Sequence, residues 1–111
     1  MYEIEPIDDT VIRAWQAHRY EKKWFYCSVG SFIINLVQLD NFNNPSSTKH
    51  RAKRFLLEAK NPSILEISGG YANGFKAAEK GSKLLVFSNF NLEKSKNDDF
   101  RYDLDKWPAD W

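Results

Sequence analysis

The spacing of hydrophobic residues predicts helices in two segments of the first half of the chain. Asp8, Asp9 or Thr10 can cap a first helix that ends near Lys22 or Lys23. Its apolar stripe recurs at helical intervals and consists of Ile7, Val11, Ala14 or Trp15, and His18. A second helix is expected from a cap at residues 46–48 to Asn61-Pro62, because the residue before a proline disfavours helical backbone.

Between these helices, aromatic and β-branched residues indicate strands. Residues 24–29 and 32–41 predict two antiparallel strands that turn at Gly30-Ser31. A single strand bent at Gly30 is the alternative. The polar segment 41–48, rich in Asn and Ser, follows as a loop.

Residues 63–90 read as a strand, a helix and a second strand. The expected bounds are 63–68, 71–80 and 83–90, with Gly69-Gly70 before the helix and Gly81 at its end. Short connections between such elements favour a right-handed βαβ unit with a parallel strand pair.

Residues 91–111 form an acidic and aromatic C-terminal segment. Phe100, Tyr102 and Leu104 alternate with charged residues, as in a half-exposed strand, whereas Leu104, Trp107 and Trp111 would share one face of a helical turn. Both interpretations remain open from the sequence. The predicted fold class is therefore α+β or small α/β. We expect one domain, with a mixed sheet of about five strands and three helices over 1–90 and the appendage 91–111.

Composition narrows the class of protein only partly. In 111 residues, 42% are hydrophobic, which is enough to build a core, and 16 Lys and Arg nearly balance 15 Asp and Glu. Cys27 is the only cysteine, so no internal disulfide can form and a reducing compartment is expected. The first residues are acidic and carry no apolar signal region, and no segment is apolar enough for a bilayer. The sequence thus predicts a cytoplasmic protein without a membrane partner.

The glycine turn Ser68–Gly74 is a first candidate site. Ser68, Gly69, Gly70 and Asn73 lie where a predicted helix would begin, and backbone N–H groups there could hold a phosphate or nucleotide. The spacing matches neither the dinucleotide fingerprint nor the P-loop, so a plain tight turn is the competing interpretation.

A basic segment and an aromatic tail supply two further candidate sites. Nucleic acid or an acidic partner could bind the cationic run at the start of the second predicted helix, which contains Lys49, His50, Arg51, Lys53 and Arg54. A protein partner could contact the tail aromatics Phe100, Tyr102, Trp107 and Trp111. A solvated helix face and packing of the tail on its own domain are the respective structural alternatives.

Motifs of catalysis and metal binding are absent from the sequence. His18 and His50 fall on different predicted helices, and no GxSxG, HExxH or CxxC motif occurs. We therefore expect no cofactor, no metal and no catalytic residue. The leading prediction is a non-enzymatic binding module that contacts, and could inhibit, a protein partner. Nucleic-acid binding and a nucleotide-binding enzyme or sensor are the alternatives, and the exposed strand edges would also allow a homodimer.

Overall fold

Two antiparallel β-sheets face each other and enclose the main hydrophobic core. The computed structural model describes residues 1–111. The four-stranded sheet has the order β1-β8-β3-β6, and its strands are β1 (Tyr2–Ile4), β3 (Lys23–Val29), β6 (Ile64–Ile67) and β8 (Lys83–Ser88). The five-stranded sheet has the order β5-β4-β7-β2-β9, and its strands are β2 (Ile12–His18), β4 (Ser31–Gln38), β5 (Lys53–Glu58), β7 (Tyr71–Ala77) and β9 (Phe100–Arg101). Helical structure is confined to α1 (Leu92–Lys96) and a 3₁₀ turn, Leu104–Lys106.

Alternate residues of each strand point into the space between the sheets. Phe25 of β3 meets Phe75 of β7 edge to face, with ring centroids 5.9 Å apart. Ile34, Leu84 and Val86 are fully enclosed around them. This apolar filling holds the two sheets together.

A second hydrophobic cluster covers the outer face of the five-stranded sheet. Trp15 and Trp107, each 2% exposed, pack edge to face with centroids 5.5 Å apart. Trp111 also packs against Trp15, with ring centroids 5.5 Å apart. The C-terminal segment therefore forms a third layer over β2, β4 and β7.

The predicted α+β or α/β fold with three helices is wrong. The segments 8–23, 46–61 and 71–80 contain β2, β5 and β7 instead of helices. Both faces of β7 are covered, one by the opposite sheet and one by the C-terminal layer, so its buried residues do not alternate as in a half-exposed strand. The C-terminal layer covers one face of β2, and the other face lines the space between the sheets. Every strand pairing is antiparallel, and the expected βαβ unit at 63–90 does not exist: β6 and β8 lie on opposite sides of β3.

The strands on either side of Gly30 form as expected but do not pair. Gly30 adopts a φ of 71°, which glycine tolerates, and carries the chain from one sheet to the other. In the C-terminal segment, a two-residue strand and a 3₁₀ turn follow one another, so each of the two sequence interpretations describes a part of it.

Candidate active site between the sheets

Polar side chains replace the apolar core at one end of the space between the sheets. Residues two apart on a strand share a face, so Gln16 and His18 project from the same face of β2. The remaining members are Lys23 at the start of β3, Asn73 on β7, Ser88 at the end of β8, and Glu21 in the loop between β2 and β3. Of these six, His18, Glu21, Lys23 and Asn73 are buried.

Two cavities open beside five of these residues, and His18 lines neither. Their volumes are about 600 Å³ and about 670 Å³. They share the side chains of Tyr2, Gln16, Lys23 and Arg101, so we treat them as one interior cleft. Arg13 and Tyr102 line the first cavity, whereas Glu21 and Asp99 line the second.

Lys23 is the most unusual residue of the cleft. Its side chain is 5% exposed, and its Nζ has a single hydrogen-bond partner, Oε1 of Gln16 at 3.4 Å. Burial lowers the pKa of Lys23, although the charges of Glu21 and Asp99 act in the opposite direction. Burial, followed by the charge of Glu21, raises the pKa of Tyr2 across the same cleft. The cleft therefore holds a lysine amine whose charged form no ion pair neutralises.

Glu21 is held rigidly at the cleft wall. It is 2% exposed, and its carboxylate accepts hydrogen bonds from the hydroxyls of Ser88 at 2.6 Å and Ser95 at 2.5 Å. The same carboxylate lies 3.4 Å from Nδ1 of His18.

One ring nitrogen of His18 is hydrogen-bonded and the other has no hydrogen-bond partner. Nδ1 lies 2.6 Å from the main-chain carbonyl oxygen of Asp98, and a carbonyl can only accept, so Nδ1 carries a proton. Nε2 is enclosed and has no hydrogen-bond partner. In the neutral ring Nε2 therefore keeps a free lone pair, which is what a general base needs.

Cationic side chains stand at the mouth of the cleft. Arg13 is exposed and takes part in no ion pair, while Nε of Arg101 lies 2.9 Å from a carboxylate oxygen of Asp99. Burial would raise the pKa of Asp99, but hydrogen bonds from Arg101 and Gln16 outweigh it and lower that pKa. Arginines at the mouth of a cavity suit the recognition of phosphate groups.

The structure separates the residues of the predicted glycine-turn site. Gly69 and Gly70 connect β6 to β7, so no helix begins there to favour an anion. Asn73 lies in the interior cleft and donates to the main-chain oxygen of Gln16. Ser68 lies instead at a different cavity of about 400 Å³, between the edge strands β5 and β6.

Part of the basic segment 49–54 reaches that edge cavity. His50, Arg51 and Lys53 line it, whereas Lys49 is exposed in the loop before β5. Arg54 is also exposed and pairs with Asn35 of β4 through the backbone. The segment is a loop followed by an edge strand, not the expected helix.

The aromatic tail residues pack against their own chain. Phe100 stacks on Phe42 with centroids 4.8 Å apart, and Tyr102 donates its hydroxyl to the main-chain oxygen of Phe42. Trp107 donates its Nε1–H to the main-chain oxygen of Ser46 at 2.8 Å. Together with Trp111, these side chains form the layer over the five-stranded sheet.

Sequence reasoning missed Gln16, Glu21, Lys23 and Arg101 as site residues. A signal for Lys23 was present: in a strand 23–29, the alternation that buries Phe25 and Cys27 also turns residue 23 inward. No comparable signal marks Glu21, whose role depends on hydroxyls more than 60 residues away.

Two kinds of feature are absent from the structure. No group of three or more His, Cys, Asp or Glu side chains is arranged to hold a metal ion. The single α-helix has five residues, and no helix could span a membrane.

Solved structures share this fold. QdtA, a sugar 3,4-ketoisomerase from Thermoanaerobacterium thermosaccharolyticum solved in complex with TDP, matches with a TM-score of 0.70 and 20% identity over 94% of this chain and 66% of its own. WlaRB, a TDP-quinovose 3,4-ketoisomerase from Campylobacter jejuni, matches with a TM-score of 0.64 and 19% identity over 91% of this chain and 68% of its own. The capsular polysaccharide assembling protein CapF from Staphylococcus aureus matches with a TM-score of 0.69 and 10% identity over 93% of this chain and 27% of its own.

These matches show that the chain shares its fold with QdtA, WlaRB and CapF. The chain spans about two thirds of the length of QdtA and about a quarter of CapF. By sequence, it matches no protein-family model and no curated protein.

The comparison overturns the leading functional prediction made from sequence. The expected non-enzymatic binding module or inhibitor is contradicted, because the solved structures that share this fold include the sugar 3,4-ketoisomerases QdtA and WlaRB. For the nucleic-acid alternative, the helix that was to carry the basic residues is absent, and binding of nucleic acid stays a prediction. Sequence motifs could not predict the site, because the polar residues of the cleft are brought together only by the pairing of distant strands.

Proposed function

We propose that this protein is an enzyme that binds a nucleoside-diphosphate sugar in the interior cleft and moves the carbonyl group of the sugar to the neighbouring carbon. The observation that carries the proposal is the ammonium group of Lys23, buried at the wall of a large cleft without a neutralising partner. An unpaired buried charge is costly, and such groups concentrate at functional sites. The fold shared with QdtA and WlaRB supports the choice of substrate class.

The two ends of such a substrate require different contacts. Arg13 and Arg101 at the mouth suit the diphosphate, because guanidinium groups donate in pairs to phosphate oxygens. Gln16 and Lys23, deeper in the cleft, suit the hydroxyl and carbonyl groups of the sugar.

The residues present can perform the proton transfers of a 3,4-ketoisomerisation. His18 lines neither cavity of the ligand-free protein, but it projects from the same face of β2 as Gln16, which lines both. Once the sugar reaches Nε2 of His18, that nitrogen takes the proton from C3 of a 4-keto sugar, and the electron pair of the C–H bond forms a C3–C4 double bond while the C4 carbonyl oxygen becomes the oxyanion of an enediolate. Lys23 donates to the oxygen that gains negative charge. Lys23 gives a proton to O4 and takes the proton of the C3 hydroxyl, while the proton held on His18 returns to C4. The product is the 3-keto sugar, and both side chains end with the protons they began with.

Binding and turnover of a TDP-sugar test this function. Calorimetric titration with TDP should show saturable binding, and NMR should show conversion of TDP-4-keto-6-deoxyglucose, the sugar bound in one structure of QdtA. Lys23→Met and His18→Asn should each lower kcat by about 10²- to 10⁴-fold, the usual contribution of a positioned proton-transfer group. Lys53→Met, which removes a lysine from the edge cavity, is the matched control and should leave kcat unchanged.

Two results would contradict the proposal. The first is the absence of both TDP binding and turnover in the folded wild-type protein. The second is equal loss of turnover in Lys23→Met and Lys53→Met, which would show that the interior cleft is not the active site.

We also propose a cytoplasmic location. The buried free thiol of Cys27, whose pKa burial raises, supports it, because such a thiol is the usual state of cysteine in a reducing compartment.

A further inference from the structure

Asp98 connects the C-terminal segment to the loop between β2 and β3. It follows α1 and is 6% exposed. Its carboxylate accepts three main-chain N–H groups: those of Arg19 at 2.7 Å, Tyr20 at 2.7 Å and Glu21 at 2.8 Å. Three charge-assisted bonds to consecutive residues fix this loop more firmly than a neutral side chain could.

The main chain of the same residue holds the imidazole of His18. The carbonyl oxygen of Asp98 accepts from Nδ1 of His18 at 2.6 Å. The carboxylate and the carbonyl of one residue therefore bind both ends of the segment His18–Glu21. Any shift of Asp98 would move the imidazole and the loop together.

The bond at Nδ1 decides where the proton of the ring resides. The hydrogen bond made by one ring nitrogen sets which tautomer is populated. With the proton on Nδ1, the lone pair is on Nε2, the nitrogen without a protein partner. Glu21 is the competing acceptor, but its carboxylate oxygen is farther from Nδ1, at 3.4 Å, and is already bound to serine hydroxyls.

We propose that Asp98 is the positioning residue of His18: it anchors the 19–21 loop through its side chain and fixes the proton of the imidazole on Nδ1 through its carbonyl. This inference rests on the proposed function, in which Nε2 of His18 accepts a proton. Asp98 itself touches no substrate and acts only through His18.

The test begins with the wild-type protein free of ligand. Nitrogen-15 NMR of the imidazole should show a protonated Nδ1 and an unprotonated Nε2 for His18 at a pH where the ring is neutral. In Asp98→Asn, one acceptor oxygen becomes an NH₂ donor that faces main-chain N–H groups. We expect the tautomers of His18 to mix and kcat to fall, up to the roughly 10²- to 10⁴-fold that a general base contributes, with little change in KM.

Asp40→Asn is the matched control. The carboxylate of Asp40 also accepts a main-chain N–H, that of Ser46 at 3.0 Å, but lies in the loop between β4 and β5. It should change neither the His18 tautomer nor kcat.

Three outcomes would overturn the positioning role. One is a wild-type His18 with its proton on Nε2, a measurement that does not depend on any variant folding. Another is an unchanged tautomer in a folded Asp98→Asn protein. The third is a loss of tautomer preference in Glu21→Gln alone, which would assign the role to Glu21. Because the tautomer is measured without substrate, a correct tautomer with no turnover of TDP-sugars would reject the proposed function and leave the positioning role intact.

Discussion

At the scale of single residues, Lys23 lowers the stability of the folded protein while it supplies an amine to the proposed site. Its aliphatic stem lies beside the hydrophobic core, while its ammonium group has only one long hydrogen bond to Gln16. Desolvation favours the neutral form, so the folded state binds the proton of Lys23 less tightly than the unfolded state does.

Replacing Lys23 by Met should therefore stabilise the ligand-free protein, by roughly 1–3 kcal/mol, the cost of an inadequately paired buried polar group. The pH dependence has a definite sign. The pKa of Lys23 is lowered in the folded state, so wild-type stability rises with pH between that pKa and 10.5, the value in the unfolded chain. Urea unfolding across this range should show the rise in wild type and its reduction in Lys23→Met.

Lys22→Met provides the control for this effect. Lys22 is the adjacent residue, its side chain is 40% exposed, and its nearest acidic partner, Glu66, is 4.0 Å away. Its stability should stay within about 0.5 kcal/mol of wild type. A destabilised Lys23→Met protein would show that the ammonium group is satisfied in the folded state.

At the scale of elements, the sequence predicted strands wherever aromatic and β-branched residues cluster. Segments 24–29, 32–41, 63–68 and 83–90 all contain strands close to their expected bounds. The errors occurred in β2, β5 and β7, which were predicted as helices. Of these, β2 and β7 contain two alanines each and carry the C-terminal layer on one face. The small residues of these two strands allow the tryptophans of the C-terminal layer to approach the sheet. In the sequence, the resulting order of small and large apolar residues looks like the spacing of a helix.

Gly74 tests this close approach. A Cβ atom at this position would lie 2.6 Å from the Trp111 ring and 2.7 Å from the Cβ of Ala14, closer than such atoms approach. Gly74→Ala should therefore destabilise the protein by about 1–3 kcal/mol, as overpacking usually does. Chemical denaturation followed by tryptophan fluorescence would measure it.

A double-mutant cycle separates this overpacking from a general loss of strand structure. In a Trp111→Ala background one of the two close contacts is gone, so Gly74→Ala should cost less there than in wild type. Equal costs in the two backgrounds would show that the tail does not constrain β7.

At the scale of the whole molecule, the site and the C-terminal layer are both products of long-range pairing. Gln16, Lys23, Asn73 and Arg101 come together only because β2, β3, β7 and β9 surround one end of the same space. The sequence contains no local signal for such a set, since the residues are separated by up to 85 positions. The sequence placed His18 on the apolar stripe of a predicted helix, and this assignment hid its neighbours in the cleft.

The C-terminal layer should contribute a large part of the stability of the whole molecule. Trp107 is 2% exposed, packs against Trp15 and donates to the main chain of Ser46, so it links β2 to the loop between β4 and β5. Trp107→Ala should cost about 3–5 kcal/mol, the usual loss for a large buried aromatic side chain. Leu104→Ala, in the same segment but 46% exposed, should change stability far less. If thermal unfolding shows a similar small loss of stability for both variants, the domain does not depend on the C-terminal segment. A loss of stability confined to Trp107→Ala shows that the segment is a structural layer that the sheet requires.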